Sequence, residues 1–478
     1  MKEEVSKSTP KIKRRKALKI LAGATAAAAL MPSSIVVGKD KSETFKIAIK
    51  NGKVFTEGVF KSVNVGITTN NLIQLSHDDI PAQKVIDATG LLVSPGFVDI
   101  LADNAANPKT TYPIFEKYKL GDGCATVLQM HGGDEYPKSY YEYFQQVPHM
   151  VNYGIGVFVM RLKNMFPPAT CYQLVDRGLS EGALGVCHSI EYQPTPYEEL
   201  VQYARLAKKY ERPFFLHLRY SDKENELAGV TEAINLAKDT GARIHIDHLH
   251  STGGTFNMEK ALEMIYNANN MGLEITTCVY PYSFWATYLI SKRFDPGWQQ
   301  RFGLTYEDLT IVGRGIKITR DNFDYYRNQY GVLVAVPEGT VPFKKTINLA
   351  LQTDFCMIGS DGGIESEPRA NNHPRGAGCF ATAIRHGLSI GMSMEKILTK
   401  ITSLPARLMR PSINNRAVIK NGNIADITLF DPLTIKGKAS VANPNQFSEG
   451  ISHVIINGEM ALENGEIIKK NAGKALKY

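Results

Sequence analysis

Cysteine is scarce: six in 478 residues, with no Cys-x-x-Cys pair and no regular spacing. That excludes a disulfide framework, and Cys124, Cys171, Cys187, Cys278, Cys356 and Cys379 are expected to be buried free thiols. Long hydrophobic runs are equally lacking; no stretch reaches the roughly 18–20 apolar residues that a membrane-spanning helix needs. Charge of one sign is missing where it would matter. The net charge is +8, yet the first nineteen residues hold eight basic side chains against Glu3 and Glu4, and everything from Lys39 onward carries only the remaining +2. No basic stripe interleaved with aromatics appears there, which argues against a nucleic-acid partner.

What is present begins with a targeting pattern. Lys13-Arg14-Arg15-Lys16 and Lys19 precede an uncharged, alanine-rich run from Ile20 to Met31. Twelve residues at about 1.5 Å each cannot cross a hydrocarbon core about 30 Å thick, so the run reads as a signal core and not an anchor. Paired arginines before a mildly apolar segment resemble a twin-arginine export signal, with Val36 and Gly38 as a small-residue cleavage site. The expectation is a periplasmic or secreted protein with residues 1–38 as export signal and no membrane anchor after its removal.

Beyond this, residues 44–95 read as short alternating strands, with Asn51-Gly52 as a hairpin signal between Phe45–Lys50 and Val54-Phe55. Residues 411–478 repeat the style in Val418-Ile419-Lys420, Ile427–Phe430 and Val454–Glu459. Two β-rich ends enclosing an α/β middle predict a composite small β-sandwich built from both termini. Across residues 96–410 strand-like runs alternate with helical stretches such as Glu198–Tyr210 and Val230–Asp239. This many βα units predict a closed (β/α)8 barrel of the TIM type. An irregular stretch at about 284–342 breaks the rhythm and reads as a substrate-covering insertion.

In such a barrel, reactive groups sit at the C-terminal ends of the strands. Three polar residues occupy these ends: His217 in Phe-Leu-His-Leu-Arg, His248 in Ile-Asp-His-Leu-His, and Asp361 in Ile-Gly-Ser-Asp-Gly-Gly. Two imidazoles and a carboxylate converging from three strands suit a divalent ion such as Zn²⁺, with the carboxylate able to take a proton from bound water.

The surrounding residues carry a family likeness. Val85–Asp99 (with Ser94-Pro95-Gly96-Phe97-Val98-Asp99), Thr402-Ser403-Leu404-Pro405-Ala406 and Ala425-Asp426-Ile427 resemble the entry and exit of amidohydrolase barrels. His373-Pro374-Arg375-Gly376 after Ser360-Asp361-Gly362, and Glu191-Tyr192 with Pro194, are similar to the N-acyl-D-amino-acid deacylase (D-aminoacylase) branch. The likeness covers nearly all of residues 44–478. It implies metal ligands at His217 and His248 on strands 5 and 6, and a general acid/base at Asp361 on strand 8. It further implies substrate contacts from Arg375, Tyr282 and His250, though the family normally has Lys where His250 stands.

Two departures stand out. The superfamily's strand-1 His-x-His positions hold Leu101 and Asp103, and the branch's strand-2 cysteine falls at Gly132, beside His131. His131 is the substitute ligand, but an offset of one residue turns a side chain away from the site unless the strand has ended. Two readings follow. One is a deacylase using about one Zn²⁺ held by His131, His217 and His248, cleaving the C–N amide bond of a small N-acyl amino acid. The alternative is a catalytically degenerate amidohydrolase fold that binds acylated amino acids or peptides.

Overall fold

The computed structural model describes residues 44–102, 108–364 and 372–478. The export segment and Asp103 lie outside these described residues. Eight parallel strands form one sheet: β1 (Phe97–Asp99), β2 (Cys124–Asp134), β3 (Asn152–Phe158), β4 (Val186–Ser189), β5 (Pro213–His217), β6 (Arg243–Ile246), β7 (Ile275–Val279) and β8 (Cys356–Ile358). A parallel bridge from Ala102 to Gly362, with the Asp361 amide donating to the Leu101 carbonyl (2.7 Å), closes β8 onto β1. The expected (β/α)8 barrel is the observed one.

Strand sequences are apolar on both faces because both are buried, which is what a helix-wrapped parallel sheet demands. Phe214 and Leu216 of β5 join the layer beneath the helices, whereas Phe215 joins Leu101, Leu128, Met130, Cys187, Cys278 and Met357 inside the barrel. The helices bury one stripe. In Tyr197–Lys209 that stripe is Leu200, Tyr203, Ala204 and Ala207, spaced three and four apart. Glu226–Thr240 begins four residues before the expected start and stops at Gly241, whose φ of 66° closes the helix. All six cysteines are buried and free.

Both chain ends supply the β-domain. A seven-stranded sheet runs Glu466–Ile467, Glu459–Glu463, Ile451–Ile456, Ile427–Phe430, Leu92–Pro95, Lys53–Thr56, Val59–Lys61, and a four-stranded one joins Ile73–Ser76, Asn64–Ile67, Phe45–Lys50 and Ala82–Asp87. Ile47, Val54, Val65, Val93, Ile427 and Ile455 pack between them. The Asn51-Gly52 hairpin is corrected here. Phe45–Lys50 and Lys53–Thr56 belong to different sheets, so this turn crosses the sandwich. The crossing is tight: a Cβ on Gly52 would sit 2.7 Å from Val93. Asn457-Gly458 does close a hairpin, with φ of 51° and 74°, the pattern that suits strand twist. Val418–Lys420 forms no strand.

The stretch from about 284 to 342 is more ordered than its sequence suggests. It contains a four-stranded antiparallel sheet (Ala286–Tyr288, Leu333–Ala335, Thr310–Ile311, Ile316–Lys317) and the helices Trp298–Phe302 and Arg320–Arg327. Trp298 stacks on Phe323 at 5.8 Å, and Trp285 and Phe294 meet at 5.8 Å, giving the insertion an aromatic core of its own.

Candidate metal and substrate site

His217 ends β5 and shares the inward parity of Phe215. His248 comes two residues after β6, where its backbone takes φ 25°, and Asp361 follows β8 at φ 47°. Non-glycine residues rarely hold such angles, and the energy needed is recovered from the surrounding structure.

His131 arrives by another route. In the β2–β3 ladder Gln129 pairs with Ile155, but Asp134 pairs with Val157, so β2 spends five residues where β3 spends two. This bulge re-aims the side chains it contains. Leu128 and Met130 point into the barrel, and the bulge brings His131 to the same side instead of the helix side. Gly133 permits it. Its φ is 103°, and a Cβ there would lie 2.1 Å from the Gly156 carbonyl oxygen.

One nitrogen of each of His131, His217 and His248 lies within 4.8 Å of the other two. Each ring is held from behind. Glu191 accepts from His217 Nε2 (2.8 Å), and Asp247 from His131 Nδ1 (3.4 Å). With the Ser251 hydroxyl donating to the His248 carbonyl (3.1 Å), its oxygen accepts from His248 Nδ1 (2.9 Å). The nitrogens left facing inward are His217 Nδ1, His131 Nε2 and His248 Nε2, the last two 3.5 Å and 4.0 Å from Asp361. His217 Nδ1 is a buried polar atom with no hydrogen-bond partner.

Burial holds the His248 imidazole well below its ordinary pKa, helped by the neighbouring imidazoles and the Arg375 guanidinium, so it is neutral at pH 7. Burial alone would raise Glu191, but hydrogen bonds from His217 and Ser221 outweigh it and keep the carboxylate ionised. Asp247 is pushed up by burial, against the pull of His131. Three imidazoles with outward hydrogen-bond partners and one nitrogen each turned inward form a donor set that fits Zn²⁺ with one position open.

The cluster floors a cavity of about 270 Å³ walled by Tyr192, Tyr280, Trp285, Tyr288 and Leu333. Two guanidinium groups line it. Arg375, at the start of helix Arg375–Ser389, contacts Asp361 Oδ2 at 2.8 Å and lies over the Tyr280 ring at 4.4 Å. Its partner here is thus the expected acid/base. Arg293, contributed by the insertion and 5.3 Å from the Trp285 ring, is the second. No sequence pattern marks Arg293, because the insertion's fold alone brings it to the pocket.

Two expected substrate contacts do not line the cavity. His250 is fully buried behind the wall, its ring 4.1 Å from Tyr280, and burial together with Arg375 pushes its pKa down to about 3. Tyr282 turns away to within 3.3 Å of the Thr382 hydroxyl, and Tyr280 takes the wall position. At the strand-1 position Leu101 is a core residue, fully buried, its Cβ where a side chain on Gly359 would go.

No family model matches the chain. It is similar to an N-acyl-D-glutamate deacylase of Alcaligenes xylosoxydans xylosoxydans, 24% identical across 87% of this chain and 93% of the relative. Among solved structures, the N-acyl-D-glutamate deacylase of Bordetella bronchiseptica, complexed with zinc and a phosphonate mimic of the tetrahedral intermediate, superimposes with a TM-score of 0.77 at 22% identity, covering 91% of this chain and all of the other. A D-aminoacylase structure, described in terms of one-metal activation and second-metal attenuation, gives a TM-score of 0.76 at 19% identity, covering 91% and all of it respectively. The fold is therefore that of the D-aminoacylases, barrel and β-domain together. Among the described residues, no helix is long and apolar enough to cross a membrane.

Proposed function

We propose that this chain is a metal-dependent hydrolase of C–N amide bonds that removes the acyl group from N-acyl-D-amino acids, with one Zn²⁺ held by His131, His217 and His248. The observation that carries this reading is the convergence of three imidazole nitrogens within 4.8 Å beside Asp361. A divalent ion bound there supplies Lewis acidity, activating water and polarising the amide carbonyl. The similarity to deacylases supports the reaction class, and one of them is described as having a binuclear centre in which one metal activates and a second attenuates.

Within this scheme Asp361 takes the proton of the attacking water on a carboxylate oxygen and passes it to the departing amine nitrogen. Arg375 keeps that carboxylate oriented through the 2.8 Å contact. A planar five-donor guanidinium can hold Asp361 and a substrate carboxylate at once, and Arg293 adds a second cation to the same cavity. Tyr192, Tyr280 and Trp285 exclude water from the acyl group. The basic and then uncharged N-terminus supports export through a twin-arginine route, which subcellular fractionation of the full chain tests.

The purified protein is expected to contain about one zinc per chain by elemental analysis, and to hydrolyse N-acetyl-D-amino acids in preference to their L-enantiomers. Two tightly held ions would overturn the mononuclear assignment. Zinc with no amide hydrolysis on either enantiomer would favour the degenerate binding protein.

A further inference from the structure

Glu191 lies two residues past β4 and belongs to neither the three-histidine cluster nor the cavity lining. Its contacts are nonetheless specific. Oε2 accepts from His217 Nε2 at 2.8 Å, and Oε1 accepts from the Ser221 hydroxyl at 2.5 Å, so both carboxylate oxygens are engaged and the group is fixed in rotation. The His217 side chain is only 5% exposed. An imidazole in that setting can present either nitrogen inward, depending on which one finds a partner behind it.

We infer that Glu191 is a positioning residue that sets which nitrogen His217 offers to the metal. A carboxylate only accepts, so it locks the proton on Nε2 and leaves the lone pair on Nδ1, the atom that has no partner in this structure. With no acceptor behind the ring, a buried N–H would go unsatisfied and the ring would reorient or draw in water. The charge acts in the same direction. Arg375 and Arg293 already crowd cationic groups around the cavity, and a divalent ion adds to them. Among the described residues, Glu191 joins Asp247 and Asp361 in supplying carboxylates that offset this charge. Leu101 and Gly132 carry no charge of their own.

This inference rests on the one-metal reading, and the experiment separates the two. Zn²⁺ affinity is measured by chelator competition on the full protein and its Glu191→Leu, Glu191→Gln and Ser221→Ala variants. The visible spectra of their Co²⁺ forms and the melts of their metal-free forms are recorded alongside. Glu191→Leu is expected to weaken zinc binding by about 10- to 100-fold and to alter the cobalt absorption. Glu191→Gln keeps an acceptor and should recover much of the loss, while Ser221→Ala, which only frees the carboxylate to rotate, should fall between wild type and Glu191→Leu. If wild type binds zinc and Glu191→Leu binds it equally well with an unchanged cobalt spectrum, the positioning role is wrong and the metal reading stands. If wild type binds no zinc, both fall. A metal-free melt lowered as much in Glu191→Gln as in Glu191→Leu, without a difference in affinity between them, would make Glu191 a structural brace and overturn the proposal.

Discussion

The barrel mouth has two sides that have gone different ways. On the β5–β6 side, inward positions hold imidazoles with polar partners behind them. On the β1 side, Leu101 fills the interior and packs against Gly359, while Lys119 and Asp99 form a fully buried ion pair at 2.8 Å underneath. That pair also organises the seam. Lys119 donates to the Ser360 hydroxyl (2.9 Å), and Asp99 accepts from the Ser360 amide (3.0 Å) and hydroxyl (2.6 Å). The comparison teaches that one rim of a barrel can become hydrocarbon core while its neighbour remains polar, because each side is packed by its own strand parity and its own loop. Asp361 stands where the two meet, its amide bonded to Leu101 and its carboxylate turned to the histidines.

The strongest way to break this comparison is to remove the chemistry from the polar side alone. Asp361→Asn should lower turnover of an N-acyl-D-amino acid by about 10²–10⁴-fold with metal content kept, since an amide matches the shape but accepts no proton at neutral pH. Near-native turnover would end the general-base assignment. Next in size is damage confined to the apolar side. Lys119→Met leaves Asp99 buried without a counter-charge and should cost about 3–5 kcal/mol of stability in denaturant titration. A change within experimental error would mean that the seam does not depend on the pair.

Arg375→Lys tests the substrate. Replacing the fork by a point charge should reduce kcat/KM by about 10- to 100-fold for substrates with a free carboxylate. Because Arg375 also holds Asp361, a smaller loss is expected on esterified analogues, and the ratio between acid and ester isolates the substrate contact. Equal losses would confine Arg375 to orienting Asp361. The smallest effect concerns how His131 reaches the polar side. Gly133→Ala introduces a Cβ against the Gly156 carbonyl at a positive φ, which should cost about 1–3 kcal/mol. It should weaken zinc binding as well; unchanged affinity in the chelator assay would uncouple the bulge from the metal.

Much of this site is legible from the sequence, because parity and strand ends are local properties. His217 follows Pro-Phe-Phe-Leu, His248 follows Ile-His-Ile-Asp, and Asp361 sits in a Ser-Asp-Gly-Gly turn. His131 was harder to place. Its direction depends on five residues of β2 facing two of β3, a mismatch that exists only once both strands are paired. Two of the four Asn-Gly pairs teach the same lesson. Asn457-Gly458 joins paired strands and Asn51-Gly52 joins two sheets, yet their local chemistry is alike, so what differs is the distant partner each strand finds. For His250 and Tyr282 it is depth that the sequence does not convey. Sequence places them near the mouth, but side-chain packing sets His250 against Tyr280 and turns Tyr282 to Thr382, in the helix that begins at Arg375.

The left-handed backbones of His248 and Asp361 have a consequence for how this protein can change. At both places glycine would sit more comfortably, and substituting it would relieve strain of about 1–3 kcal/mol. At these two positions, unlike other left-handed residues such as Glu57 and Glu211, a gain in folding stability would remove a reacting group. Selection for a sturdier protein and selection for a working one pull in opposite directions at these residues.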